Sequence, residues 1–217
     1  MNDIIQTIAV YALPVIFAIT LHEAAHAYAA KYFGDSTAYE QGRMSMNPLR
    51  HIDPIGTILL PVLMYMFTPF VFGYAKPVPI DFGRLRNPKK QMAWVAFAGP
   101  MANFVMAFGW MVFAIVIASM GVNEQFLHKM ARAGMLVNII MFVFNLLPIP
   151  PLDGGRIVAS VLPHKLSNTY SRIEPYGFFI VIGLLVFNLL GYWVAPMSAI
   201  TGTLLSLLVS PLALILG

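Results

Sequence analysis

From Tyr176 to Gly217 the chain carries no charged side chain over 42 consecutive residues. A helix needs about 20 apolar residues to cross the hydrocarbon core of a bilayer, so this stretch has room for two crossings. In hydrocarbon the backbone must satisfy its own hydrogen bonds, which restricts spanning segments to helices or closed barrels. Comparable apolar runs occur at about 4–32, 92–120 and 134–148. Charged residues make up 10% of the chain and hydrophobic ones 59%, against roughly 25% charged in a typical soluble domain. The expected fold is an all-α polytopic membrane protein of about five to six transmembrane helices. It forms a single domain over 1–217, with a core at about 4–160 and two C-terminal helices at about 176–216, turning near Tyr192 to Pro196.

The connections set further expectations. Gly34 is placed to end the first helix, since glycine readily adopts the left-handed cap conformation. The start, Met1-Asn2-Asp3, lacks a basic region before the apolar run, so the first segment reads as a retained helix. Residues 55–72 are apolar but broken by Gly56, Pro61 and Pro69, and 73–90 carry prolines at 77 and 79 that forbid a helix interior. A re-entrant or extended element is therefore expected around 55–80. The basic loop at 73–90 and the loop bearing Asp153 are separated by two spans, so they share a face. Basic loops favour the cytoplasm, which puts the N terminus outside. The 13 basic and 9 acidic residues form no run of the kind that binds nucleic acid.

Against this background, Leu21-His22-Glu23-Ala24-Ala25-His26 is expensive: ionisable groups within a membrane segment are rare and generally functional. Residues four apart share one face of a helix. His22 and His26 could therefore grip one zinc ion, with Glu23 between them free to handle a water molecule. The chain has no cysteine, so any metal must be held by His, Asp or Glu. A catalytic zinc usually takes three protein ligands. Asp153 follows the run Pro148, Pro150 and Pro151, which forbids regular helix, and precedes Gly154-Gly155. A carboxylate at such a break could turn towards a metal. His51, after Asn47-Pro48, reads as a surface-loop histidine, with approach to the site as the alternative, and His128 and His164 read as loop histidines.

His22-Glu23-Ala24-Ala25-His26, taken with Asn145-Leu146-Leu147-Pro148-Ile149-Pro150 and Leu152-Asp153-Gly154-Gly155, closely resembles the site-2 protease family of intramembrane zinc metalloproteases, peptidase family M50. Gly99-Pro100-x-x-Asn103 looks like the family's middle-helix motif, and the three elements come in the family's order. The resemblance covers about residues 15–160. It is to a compact form, since only about 121–133 separate the middle helix from the helix leading to Asp153, too few for a PDZ insertion, and no CBS domain follows. It implies zinc bound by His22, His26 and Asp153, Glu23 as general base, and Asn103 and Asn145 binding the substrate backbone or an oxyanion. The implied substrate is a transmembrane segment of a single-span protein, and no organic cofactor is expected. Absent cysteines and the compact core fit a prokaryotic plasma membrane, and the basic loops put the site near its cytoplasmic side. Cutting a helix requires local unwinding, and the extended stretch 73–80 offers an edge for the unwound segment.

Two other functions compete. In a metal transporter the same His and Asp residues would form a transit site, although a transit path needs polar groups spread through the bilayer. An inactive binding scaffold would have no use for Glu23.

Overall fold

A computed structural model of the chain describes residues 2–59 and 75–216. Eight α-helices appear among them: α1 Asn2–Tyr32, α2 Thr37–Glu40, α3 Pro88–Ser119, α4 Gln125–Asn145, α5 Asp153–Val161, α6 His164–Ser171, α7 Glu174–Val186 and α8 Gly191–Leu216. No strand occurs among the described residues. Four helices, α1, α3, α4 and α8, are long and apolar enough to cross a membrane. At 1.5 Å per residue α1 is about 46 Å long, ample for a hydrocarbon core of about 30 Å. With 13 residues α7 reaches only about 20 Å, so the expected five to six spans become four of spanning length and one shorter apolar helix among the described residues. The centre of the fold is α3, packed against α1, α4, α5 and α8.

Local sequence sets the helix ends. Gly34, at φ +113°, closes α1 while the amide of Asp35 returns to the carbonyl of Ala30 at 2.9 Å. Arg86 adds a cationic cap: its backbone N–H and its Nε donate to the Phe33 carbonyl, and its Nη2 donates to that of Tyr32. Pro88 opens α3 at the first helical position, where a missing N–H costs nothing. Both α1 and α3 run unbroken through an internal proline, Pro14 and Pro100. At Gly134 a Cβ would overlap the Trp110 ring, so glycine lets α3 and α4 approach closely.

Several expected boundaries move. Helix α4 begins nine residues before Gly134, so its first turns take up most of the expected separation at 121–133, with His128, Lys129 and Arg132 on them. Lys129 and Arg132 are exposed there and His128 half-buried, its Nε2 on the Val122 carbonyl at 2.7 Å; a helix can present charges outward at the membrane edge. The C-terminal turn falls at 187–190 instead of Tyr192 to Pro196, because Asn188 adopts φ 56° and ends α7. Of the expected extended stretch 73–90, residues 75–80 are non-helical, Phe82–Arg84 form a 3-10 turn, and Lys89 and Lys90 already belong to α3. The apolar segment 55–72 begins as a π-helix at Pro54–Leu59; the remainder, 60–72, lies outside the described residues. The polar segment after Asp153 holds α5 and α6.

With α3 and α4 crossing in succession, the end of α1 and the start of α5 fall on one side. The strap at 75–80 lies there, lining a cleft with Glu23 of α1 and Asp153 of α5. Its Lys76 amide donates to the His51 carbonyl at 3.0 Å, and Arg43 Nη2 donates to the Lys76 carbonyl at 2.8 Å. At its far end the Asp81 amide donates to Asp35 Oδ2 at 2.7 Å. His51 is therefore a buried tie in this region and not the solvated loop residue expected, with Nε2 on the Ser45 carbonyl at 2.7 Å.

Candidate metal centre

His22 and His26 sit one turn apart on the face of α1 that packs against α3, and both are buried. Asp153 comes from the first turn of α5. The unwound residues 146–152 carry it there, and Gly154 and Gly155 nest against that stretch so tightly that a Cβ on either would overlap its backbone. Gly177 of α7 packs on the same stretch under the same constraint, against Pro150. The result brings Asp153 Oδ2 to 3.2 Å from His22 Nε2 and 3.4 Å from His26 Nε2. The two Nε2 atoms are 3.1 Å apart.

The protons on these rings follow from their partners. His26 Nδ1 lies 2.7 Å from the Val95 carbonyl, which can only accept, so Nδ1 carries the hydrogen and Nε2 a lone pair. His22 Nδ1 lies 2.6 Å from Asn103 Oδ1. That amide end is the oxygen because the other end reaches the Ala18 carbonyl at 3.2 Å and must be the donor. In the neutral form that binds a metal, both imidazoles thus aim lone pairs at one point, together with a carboxylate oxygen that is buried and without a hydrogen-bond partner. Three electron-rich atoms in contact are stable only around a cation, whether a proton or a metal ion. His, His and Asp, each able to offer one atom within 4.8 Å of the others, make a donor set that fits zinc. Fixing the tautomer through the far ring nitrogen is how metal-binding histidines are generally held.

Gly99 supplies the space. A Cβ there would overlap the Nε2 atoms of His26 and His22, so α3 meets the pair along bare backbone. Glu23 takes no part in the cluster. It lines a cleft of about 120 Å³ shared with Val78, Ile80, Asn145 and Arg156, and its Oε2 accepts the Val78 amide at 2.8 Å.

The two expected asparagines differ. Asn145 lines the cleft, its Nδ2 tethered to the Met141 carbonyl at 2.9 Å. Asn103 is fully buried behind His22, with its amide engaged on both sides. Sequence reasoning missed Asn138, which is also buried and accepts from Asn103 at 2.9 Å. Asn103 and Asn145 stand in the family motifs and Asn138 does not, although an amide inside an apolar span needs a partner there too. It also missed the Val95 carbonyl and the Val78 amide, which no side-chain pattern reveals.

The family model for peptidase family M50 matches residues 122–188, which include Asp153. The Bacillus subtilis (strain 168) protein named "Putative zinc metalloprotease YwhC" is 35% identical over 190 residues, covering 85% of this chain and 84% of its own. The Mycolicibacterium smegmatis protein named "Putative zinc metalloprotease Rip2" is 30% identical over 209 residues, covering 88% and 74%. A Mycobacterium tuberculosis (strain H37Rv) Rip2 is 26% identical, covering 86% and 73%. No solved structure matches. At this identity and coverage the chain belongs to peptidase family M50, the site-2 protease family, and is a zinc metalloprotease.

Proposed function

We propose that the protein is an intramembrane endopeptidase that cuts transmembrane segments of single-span membrane proteins, with zinc held by His22, His26 and Asp153. The observation that carries this reading is the meeting of two lone-pair nitrogens and an unpartnered carboxylate oxygen where a membrane helix ends, beside a glutamate that takes no part in the cluster. When bound, zinc acts as a Lewis acid that acidifies water and polarises the peptide carbonyl. Glu23 takes the proton of the attacking water and returns it to the leaving amine. Asn145, on the cleft wall, binds the substrate backbone. Asn103 is enclosed behind His22 and is assigned to holding that ring instead of to the substrate.

A substrate helix has its amides already paired, so it enters as a locally unwound strand. The strap at 75–80 is suited to receive it: it is non-helical, and Pro77, Val78 and Ile80 line the cleft beside Glu23. Charge supports a cytoplasmic placement of the centre in a prokaryotic plasma membrane. Of the 13 basic residues, Lys129 and Arg132 lie at the opposite end of α4, and the others lie in segments on the side of the centre. The transporter reading has less support, since the metal-ligating residues among those described form one cluster at one depth.

The deciding measurement compares purified wild type with Glu23→Gln on a single-span substrate in liposomes. Cleavage should fall by about 10²- to 10⁴-fold while the zinc content stays constant. Equal cleavage by both proteins, or zinc flux that persists in the variant, would overturn the protease mechanism.

A further inference from the structure

The amide of Asn103 is held by more than its neighbour on α1. Its Nδ2 donates to Asn138 Oδ1 at 2.9 Å, a shorter contact than the 3.2 Å to Ala18. Asn138 is oriented in turn by its own Nδ2, which donates to the Gly134 carbonyl at 2.8 Å one turn earlier on α4. A backbone carbonyl can only accept, so Asn138 must present its oxygen to Asn103, and Asn103 must present its oxygen to His22. The relay runs from the Gly134 carbonyl through two side chains to a ring of the metal centre, crossing from α4 through α3 to α1. Asn138 and Asn103 are both fully buried, so no water can take either place. Inside a membrane protein a mis-turned amide would leave several polar groups unpaired at once.

We propose that Asn138 is a positioning residue for the metal centre. It fixes the direction of the Asn103 amide, hence the His22 tautomer, and so keeps the Nε2 lone pair aimed at the metal. This rests on His22, His26 and Asp153 being the zinc ligands. Partners behind metal-bound histidines are commonly worth 10- to 100-fold in metal affinity. Asn138 stands one step further back and the Ala18 carbonyl still biases Asn103, so its share falls at the lower end, about tenfold.

The test uses the full chain, purified in detergent and loaded with zinc, as wild type, Asn138→Leu and Asn138→Asp. Zinc affinity is read by chelator competition, and the ligand field by the visible spectrum after cobalt substitution. Leucine fills the volume without accepting a hydrogen bond, whereas aspartate still offers an oxygen to Asn103. The leucine variant should bind zinc about tenfold more weakly with an altered cobalt spectrum. The aspartate variant should stay within about threefold of wild type, well inside the range that loss of a second partner gives. A leucine variant with wild-type affinity and spectrum overturns the inference. So does equal weakening in both variants alongside equal loss of thermal stability, which would make Asn138 a packing bridge between α3 and α4. A wild-type chain that binds no zinc overturns the ligand assignment itself, and the inference falls with it.

Discussion

The carboxylate of Glu23 and the backbone amide of Val78 are joined by a 2.8 Å hydrogen bond across 55 residues of sequence. This bond ties the proposed general base to the strap expected to receive the substrate. A hydrogen bond to an ionised group is worth about 1.5–3 kcal/mol, enough to hold the side chain in one rotamer in the cleft. Val78 is flanked by two prolines, so its own replacement by proline removes the donor in an already extended stretch. Val78→Pro should lower the turnover rate about tenfold, the scale set by that bond energy, with zinc content unchanged. Val78→Ala, which keeps the amide, should remain near wild type. Steady-state cleavage with metal analysis checks both, and a fully active proline variant would show that the bond has no part in turnover.

Gly99 makes a sharper prediction. Since a Cβ at this position would overlap both metal-facing nitrogens, Gly99→Ala must either push α3 away from α1 or turn the rings. Either movement breaks a ligand set whose tautomers depend on α3 through Val95 and Asn103. Zinc stoichiometry should fall well below one per chain and cleavage should drop at least about 100-fold, the upper range for loss of support behind the ligands. Elemental analysis of purified protein reads the first result directly, and near-stoichiometric zinc in the variant would refute the close-approach argument.

The histidine pair could be read from sequence because the period of one helix places residues 22 and 26 together, and a membrane setting makes them costly. Asp153 was legible as a candidate because the prolines before it forbid helix up to that point, although Asp153 itself opens a new helix. The supporting partners were less visible for physical reasons. Val95 and Val78 contribute backbone atoms, which every residue has. Asn138 differs from an ordinary packing residue only through a pairing that needs the α3–α4 contact to be known. The start of α4 was misplaced because charge marks the membrane boundary and not the helix boundary: α4 continues past it into the polar region. His51 looked like a solvated loop residue because local polarity does not reveal that its carbonyl and Nε2 tie the strap and Ser45 together.

Removing the metal should destabilise the fold as well as stop the reaction. Without a cation, the two lone pairs and the Asp153 oxygen face one another at 3.1 to 3.4 Å. A bound ion stabilises the folded state by RT ln(1 + [L]/Kd), about 4 kcal/mol at a thousandfold excess over Kd. Treatment with a strong zinc chelator should therefore lower the melting temperature by several degrees, and zinc should restore both stability and cleavage. A melting temperature indifferent to chelation would separate the centre from folding stability.

Asp35 gives the last prediction, on the strap and away from the metal. Its carboxylate is buried and accepts the Thr37 amide at 2.9 Å, the Thr37 hydroxyl at 2.5 Å and the Asp81 amide at 2.7 Å. The first two close the turn after α1, and the third anchors the far end of the strap. Asp35→Ala removes the acceptor of two part-buried backbone amides, a cost of about 1–2 kcal/mol. Its effect should fall on substrate handling before it falls on the metal, because none of these bonds touches His22, His26 or Asp153. The expected result is a raised KM and faster proteolytic nicking within 75–87, with zinc affinity close to wild type. Limited proteolysis with mass mapping, alongside chelator competition, separates the two effects. If zinc affinity fell while the strap stayed protected, Asp35 would belong to the metal centre instead.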